Sequence, residues 1–263
     1  MKNYRMWKVA RFWLIGLLIV IGFCYFNRVQ IIQKIIEVTS QANIVSIEKQ
    51  TDTSSQNEQL GKLDYKGQNV ISVNNNKPSF SSRDLQVKNN GWQKLSSLDW
   101  LGRPQIANAL LNQKLMPPPQ TKKARERLTV RTPGYHAIRT GQNPSDWLYN
   151  RSHLIGYQFT GLNNESKNLF TGTRQLNADS RKDAQSMVTF ESEVAEYLKS
   201  SPDHYVRYQV EPIYRNVELV PRGIHMQAQS LTDNVVSFNI YIFNVQDGWQ
   251  INYLNGQASR IND

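Results

Sequence analysis

The sequence contains, at residues 150–155, the stretch Asn150-Arg151-Ser152-His153-Leu154-Ile155, in which an arginine lies two residues before a histidine. Asn177 follows 24 residues after His153. Hydrolysis of a phosphodiester needs a base for the attacking water, a cation that offsets charge on the phosphate, and assistance to the leaving oxygen. His153, a divalent metal ion and Arg151, in that order, can supply these three functions.

Two oxygen-bearing side chains are candidates for holding that metal. A hard ion such as Mg²⁺ prefers oxygen ligands and keeps several of its waters, so the amide of Asn177 together with water and substrate is sufficient anchorage. Glu191 lies four residues after Met187 and three before Val194, which places it along the apolar ridge of a predicted helix. Because a buried carboxylate is costly without a partner, metal-bound water is a suitable partner for Glu191.

The charge of the chain is strongly positive and unevenly distributed. The formal net charge is +10, which attracts polyanions such as nucleic acid, wall polymers or anionic lipid. Residues 99–182 hold 13 lysines and arginines against 5 acidic residues, whereas residues 183–263 hold 5 against 10. One part of the chain is therefore suited to meet an anion.

The composition also excludes several classes of protein. Hydrophobic residues make up 39% of the chain, which is enough for a packed core. Cys24 is the single cysteine, so neither an intramolecular disulfide nor a thiolate metal cluster can form. The sequence shows no glycine-rich phosphate loop and no dinucleotide fingerprint, which argues against ATP- and NAD-dependent functions.

The N-terminal segment has the pattern of a signal anchor. Four basic residues precede the uninterrupted apolar run at residues 12–26, and the span lengthens to residues 6–26 if its flanking cations reach the membrane surface. No small-residue cleavage site follows, which favours a retained anchor over a cleaved signal. We expect a cytoplasmic tip and transmembrane helix at residues 1–30, a linker at 31–61 and a folded domain at 62–263.

The folded domain is predicted to combine helix and strand. Apolar residues spaced by three and four predict an amphipathic helix over 183–199, and the segment 104–111, with a proline near its first turn, predicts a short helix. Apolar, β-branched and aromatic residues predict strands, and Val236, Phe238, Ile240 and Ile242 are expected to share one buried face. The predicted strands are 70–73, 205–215, 217–220, 225–229 and 235–245.

These motifs resemble those of the DNA/RNA non-specific endonucleases with a ββα-metal site, whose hallmark is an Asp-Arg-Gly-His motif followed by a metal-binding asparagine. The resemblance is closer to streptococcal DNases and to the membrane-bound DNA-entry nuclease of competence. It is carried by Trp147–Leu154, by Lys167-Asn168 and by Arg174–Asn177, and it covers roughly Trp92 to the C terminus. It implies an α+β fold, a central antiparallel sheet with a finger of two strands and a helix that carries the active site.

The resemblance also implies roles for individual residues. His153 corresponds to the general base, Asn177 to the direct Mg²⁺ ligand, Glu191 to an acid that holds metal-bound water, and Asn168 to a residue that orients the site. Mn²⁺ is an alternative metal. The chain departs from the family pattern at Asn150 and Ser152, where relatives often have Asp and Gly, so no role can rest on a carboxylate at position 150.

A further departure concerns an arginine that relatives carry one turn after the Glu191 position. This chain has Ala195 there, and Arg174, Arg139 or Arg131 could replace the missing cation, or nothing does. We expect these arginines to contact nucleic acid. Lys122 and Lys123 begin a charge run, 122–127, that is either a DNA-contacting loop or a solvated surface segment.

The expected function is Mg²⁺-dependent hydrolysis of DNA, with RNA as an alternative substrate, at the cell surface. The expected partners are double- or single-stranded DNA, the membrane and a DNA-uptake machinery. Contacts to phosphates alone do not read bases, so weak sequence preference is expected. If the signal is cleaved, the protein is secreted. The alternatives are a membrane-tethered DNA receptor without catalysis and a basic surface that binds wall polymers or lipid.

Overall fold

The computed structural model describes residues 55–87, 90–118, 125–141, 143, 146–179 and 181–261. These residues belong essentially to one unit of the chain, Asn57–Asp263. The predicted membrane anchor, most of the predicted linker and the two lysines Lys122 and Lys123 lie outside them. Within the described part of the chain, no helix combines the length and the apolar character that crossing a membrane requires.

The described fold is α+β. Besides the helical residues 55–61, the described part of the chain contains the α-helices α1 (Tyr157–Thr160), α2 (Arg174–Ala178) and α3 (Met187–Ser200). The strands are β1 (Val70–Ser72), β2 (Trp92–Leu95), β3 (Ala107–Asn112), β4 (Tyr149–His153), β5 (Leu169–Thr173), β6 (Tyr205–Ile213), β7 (Gly223–Ser230), β8 (Ser237–Phe243), β9 (Trp249–Ile251) and β10 (Ala258–Arg260).

Six strands form one antiparallel sheet in the order β1-β8-β7-β6-β3-β2. Phe238, Ile240 and Ile242 alternate along β8 and belong to one apolar cluster, as predicted, and Val236 joins them just before the strand. Because side chains alternate between the two faces of a strand, this spacing gives β8 one continuous apolar face.

Helix α3 supplies the apolar layer that covers this sheet. Met187, Phe190, Val194 and Leu198 recur at three- and four-residue spacing and are buried in the same cluster, which confirms the predicted amphipathic helix. The helix begins at Met187, later than predicted, and Thr189 Oγ1 accepts a hydrogen bond from the Ser186 backbone N–H at 3.1 Å just before its first turn. This contact satisfies an N–H group that a helix start leaves without a partner.

Two predicted elements are wrong. The segment 104–111, predicted as a helix, contains strand β3, which pairs with β2 on one side and with β6 on the other. Alanine and leucine favour helices intrinsically, but pairing on both sides and burial of Ala107, Ala109 and Leu111 outweigh that preference. Residues 217–220, predicted as a strand, form turns and bends.

The folded unit also begins earlier than the predicted boundary at residue 62. Residues 55–61 are helical. Leu60 is buried with Val73, Ile213 and Phe243 in a second, smaller apolar cluster. Residues 57–61, assigned above to the linker, therefore contribute to the core.

Strands β4 and β5 form a separate antiparallel pair, followed by α2. We call β4, β5 and α2 the finger. Five apolar residues in and around the finger belong to the same apolar cluster as the six-stranded sheet and α3: Leu154, Ile155, Phe159, Phe170 and Leu176. The finger is thus fixed to the main core.

Truncation of Leu198 tests the packing of α3 on the sheet. Leu198 is fully buried, so Leu198→Ala should lower the free energy of unfolding by about 2–5 kcal/mol in urea titrations. Val188 lies on the same helix but is 43% exposed, and Val188→Ala should change this free energy by no more than about 0.5 kcal/mol. Equal losses in the two variants would contradict the described orientation of α3.

Candidate active site

His153 is the last residue of β4 and pairs with Leu169 of β5. Its ring Nε2 lies 2.8 Å from the backbone oxygen of Asn163. Because a carbonyl oxygen only accepts, Nε2 carries the hydrogen of this bond, and Nδ1 keeps its lone pair. The ring is 9% exposed and borders a cavity of about 800 Å³.

The surroundings of His153 keep its ring neutral. Burial lowers the pKa of His153 from 6.5 to about 4, and the nearby positive charge of Arg125 acts in the same direction. The hydrogen bond to the Asn163 carbonyl acts in the opposite direction and is outweighed. At neutral pH, His153 is therefore unprotonated, which is the state that a general base requires.

Arg125 makes the contact to His153 that the sequence did not reveal. Its Nη2 lies 3.4 Å from His153 Nδ1, and its Nε donates to Asn163 Oδ1 at 2.7 Å. The guanidinium also lies 4.7 Å from the centre of the Tyr157 ring. The only signal in the sequence was the charge run 122–127, which is equally typical of a solvated segment.

Arg151 lies on the same face of β4 as His153, two residues earlier, and borders the same cavity. Its Nε donates to the Val130 carbonyl at 2.6 Å. Its guanidinium stacks 4.3 Å from the centre of the Tyr135 ring. These two contacts hold the positive charge at the cavity wall.

Asn168 lies behind the cavity wall. Its side-chain amide is fully buried, donates to the Ile155 carbonyl and accepts from the Ile155 backbone N–H, both at 2.9 Å. Both bonds fix the chain just after His153. Asn168 thus acts on the backbone that leads from β4 to α1 and does not line the cavity.

Helices α2 and α3 bring three more predicted residues to the cavity. Arg174 and Asn177 lie at the first and fourth positions of α2, and Glu191 lies in the first half of α3. Within the described residues, no hydrogen bond involves the Asn177 side chain, so its amide oxygen is available to a ligand.

Glu191 is a buried carboxylate, and few polar contacts offset the loss of its hydration. Gln158 Nε2 lies 3.5 Å from its Oε2, and burial raises the pKa of Glu191 to about 8. A Cβ at Gly156 would lie 2.8 Å from Oε1, so the chain after β4 approaches the carboxylate closely.

The side chains that line the cavity include the oxygen donors that a hard divalent cation prefers. The described part of the chain contains no group of three or more His, Cys, Asp or Glu side chains arranged to hold a metal. However, among the described residues the Asn177 amide has no hydrogen-bond partner and no cation pairs with the Glu191 carboxylate, and both side chains border one cavity. Oxygen donors of this kind fit an ion that keeps most of its water.

Arg139 and Arg131, two further predicted cations, do not border this cavity. Arg139 stacks 4.0 Å from the centre of the Trp147 ring and donates to the Asn143 carbonyl at 2.8 Å. Arg131 is exposed and borders a different cavity, which Arg151 also lines. Arg127, which the sequence did not single out, does line the cavity of His153.

Comparisons with known proteins agree with this architecture. The family model described as DNA/RNA non-specific endonuclease matches residues 85–232, more than half of the chain. A deoxyribonuclease of Streptococcus dysgalactiae subsp. equisimilis is 34% identical over 116 residues, which are 44% of this chain and 34% of that protein. The chain thus aligns with about a third of the length of this curated relative.

Solved structures of the NucA nuclease of Streptococcus agalactiae share the fold. The structure with magnesium bound has a TM-score of 0.65 and is 25% identical in sequence. The match covers 76% of this chain and 93% of the NucA chain. The structure with no metal bound has a TM-score of 0.62 at 26% identity and covers 76% and 92%, respectively.

Titration of the His153 ring tests its burial. In the metal-free chain, the imidazole signals of His153 followed by NMR should titrate with a midpoint near pH 4. Arg125→Gln should raise this midpoint, because it removes a positive charge beside the ring. A midpoint at pH 6.5 or above in the unmodified chain would contradict the described environment.

The raised pKa of Glu191 predicts a pH-dependent stability. The folded chain holds the Glu191 proton up to about pH 8, whereas the unfolded chain releases it near 4.5, so stability falls as pH rises through this window. In EDTA, Glu191→Gln should therefore stabilise the fold more at pH 8 than at pH 5 in urea titrations.

The control for this experiment is Glu196→Gln, which changes an exposed position of the same helix. It should give the same small effect at both pH values. A pH-independent effect of Glu191→Gln would show that the carboxylate is not buried as described.

Proposed function

The chain belongs to the DNA/RNA non-specific endonuclease family, and we propose that it is a Mg²⁺-dependent endonuclease that hydrolyses DNA with little sequence preference. One observation supports this assignment most directly. A neutral histidine, His153, faces the same cavity as the buried carboxylate of Glu191 and the amide of Asn177, which has no hydrogen-bond partner within the described part of the chain.

His153 is the general base of this proposal. Its unprotonated ring nitrogen accepts a proton from water as the water oxygen attacks phosphorus and the scissile P–O bond breaks. The hydrogen bond from Nε2 to the Asn163 carbonyl fixes the ring orientation, and Asn168 fixes the backbone that follows. Arg125 must move away from Nδ1 to admit the water, and phosphate oxygens are suitable new partners for its guanidinium.

Asn177 and Glu191 are the residues that hold the cation, Asn177 through its amide oxygen and Glu191 through water. When bound, Mg²⁺ offsets charge on the phosphate and assists the leaving oxygen. The magnesium-bound NucA structure, to which this chain is similar, supports the choice of metal. Mn²⁺, which also prefers oxygen ligands, is expected to substitute.

Arg125, Arg127, Arg151 and Arg174 supply the positive wall for the phosphate backbone. Arg139 stacks on Trp147, and Arg131 borders a different cavity. Both are therefore weaker candidates for replacing the arginine that relatives carry near the position of Ala195. Ala195 is itself buried in the apolar cluster, where a charged side chain would lose its hydration. Contacts to phosphates explain weak sequence preference, because the backbone is the same for every sequence.

The proposed place of action is outside the cell, with residues 1–30 as a membrane anchor. The basic N terminus and the apolar run at residues 12–26 support this topology, in which the positive end stays in the cytoplasm. A role in DNA uptake or in degradation of extracellular DNA follows from that location. RNA is a second substrate to test, since contacts to phosphates also accommodate it.

Plasmid cleavage by the full-length chain in Mg²⁺ tests the assignment. His153→Ala should lower kcat about 10²- to 10⁴-fold, the usual contribution of a general base. Asn177→Ala should abolish most of the activity at low Mg²⁺, and EDTA should abolish all of it. His204→Ala is the matched control, because His204 stacks on Tyr197 away from the cavity, and it should retain full activity.

Two outcomes would reject this proposal. Undiminished cleavage by His153→Ala would remove the base assignment. Tight DNA binding without cleavage by the unmodified chain, in Mg²⁺ or Mn²⁺, would instead favour a membrane-tethered DNA receptor.

A further inference from the structure

The segment Asn244–Asp247, directly after β8, binds the junction between β5 and α2. Asn244 Oδ1 accepts from the Thr173 backbone N–H at 2.8 Å, and its Nδ2 donates to the carbonyls of Thr171 and Pro221 at 3.0 and 2.9 Å. Thr173 Oγ1 donates to the Val245 carbonyl at 2.6 Å. We call Asn244–Asp247 the C-terminal clamp.

Gln175, the second residue of α2, makes the most specific contact with the clamp. Its Oε1 accepts from the Asp247 backbone N–H at 2.7 Å, and its Nε2 donates to Asp247 Oδ1 at 3.2 Å. Its own backbone N–H donates to Gln246 Oε1 at 3.1 Å. Both ends of the Gln175 amide are therefore directed at one residue, Asp247, and the side chain is 2% exposed.

Asp247 also reaches the other end of α2. Its Oδ2 accepts from Arg181 Nη1, and the same guanidinium pairs with Asp179, the residue that follows the helix. The carboxylate of Asp247 thus links the first turn of α2 to the chain that leaves it.

These contacts act on a helix that cannot be stable alone. α2 contains five residues, and an isolated helix of this length does not form in water. Asn177 lies two residues after Gln175 in this helix, so the clamp contacts the same helical turn that carries Asn177. The clamp lies outside residues 85–232, the part of the chain that matches the family model.

We propose that Gln175 and Asp247 are positioning residues that set the metal affinity of the cavity by holding Asn177 in place. This inference rests on the proposed function, because it takes Asn177 as the metal ligand. Neither Gln175 nor Asp247 borders the cavity, and they act on it through the backbone of α2.

Mn²⁺ titrations of the full-length chain, followed by electron paramagnetic resonance, test the proposal without relying on catalysis. Gln175→Glu places a carboxylate against that of Asp247 and should raise the Mn²⁺ dissociation constant about 10- to 100-fold. Gln175→Glu combined with Asp247→Asn reverses the original hydrogen bond. The new carboxylate at position 175 can accept from the new side-chain amide at position 247. This double variant should recover most of the affinity, which a merely structural loss would not.

Two further variants separate the possible failures. Gln257→Glu adds the same charge at an exposed position outside the clamp and should bind Mn²⁺ like the unmodified chain. Unchanged affinity in Asn177→Ala would overturn the ligand assignment of the proposed function. Lost affinity in Asn177→Ala with unchanged affinity in Gln175→Glu would overturn the positioning role alone.

Folding of the variants is followed by circular dichroism. If Gln175→Glu does not fold, the double variant must both fold and bind Mn²⁺ for the proposal to stand. A double variant that fails in either respect overturns it.

Discussion

Two paired strands are not stable by themselves in water, and this constraint governs the finger. The finger satisfies it because Phe170 of β5 and Leu176 of α2 belong to the same apolar cluster as the six-stranded sheet and α3. Because the finger is anchored in this way, His153 at the end of β4 and Asn177 on α2 keep a fixed relation to Glu191 on α3. The packing of the core therefore also determines the geometry of the cavity.

Burial moves the pKa values of two groups in the cavity in opposite directions. It lowers the pKa of His153 and raises that of Glu191, because in each case the charged form loses its hydration. A neutral imidazole is suited to accept a proton. A buried carboxylate without a counter-charge costs stability and is suited to a cation. The chain thus retains an unfavourable side chain at the place where the proposed metal would offset it.

The sequence predicted the parts of this structure that depend on local pattern. The spacing of Met187, Phe190 and Val194 predicted α3, alternation predicted β8, and the motif around His153 indicated the finger. Strand β3 was not predicted because its alanines and leucines intrinsically favour a helix. Its pairing with β2 and β6, which makes it a strand, is not visible in the local sequence. Two contacts could not be predicted either, because no periodic signal connects residues so far apart in the sequence. Arg125 contacts His153, 28 positions away, and Gln175 contacts Asp247, 72 positions away.

The C-terminal clamp has a consequence for the order in which the chain folds. Thr173 and its partner Asn244 are 71 residues apart, and ribosomes synthesise the finger first. A nascent chain that has exposed β4, β5 and α2 still lacks the contacts that secure α2. The contacts that secure α2 therefore form only after the later strands have been translated.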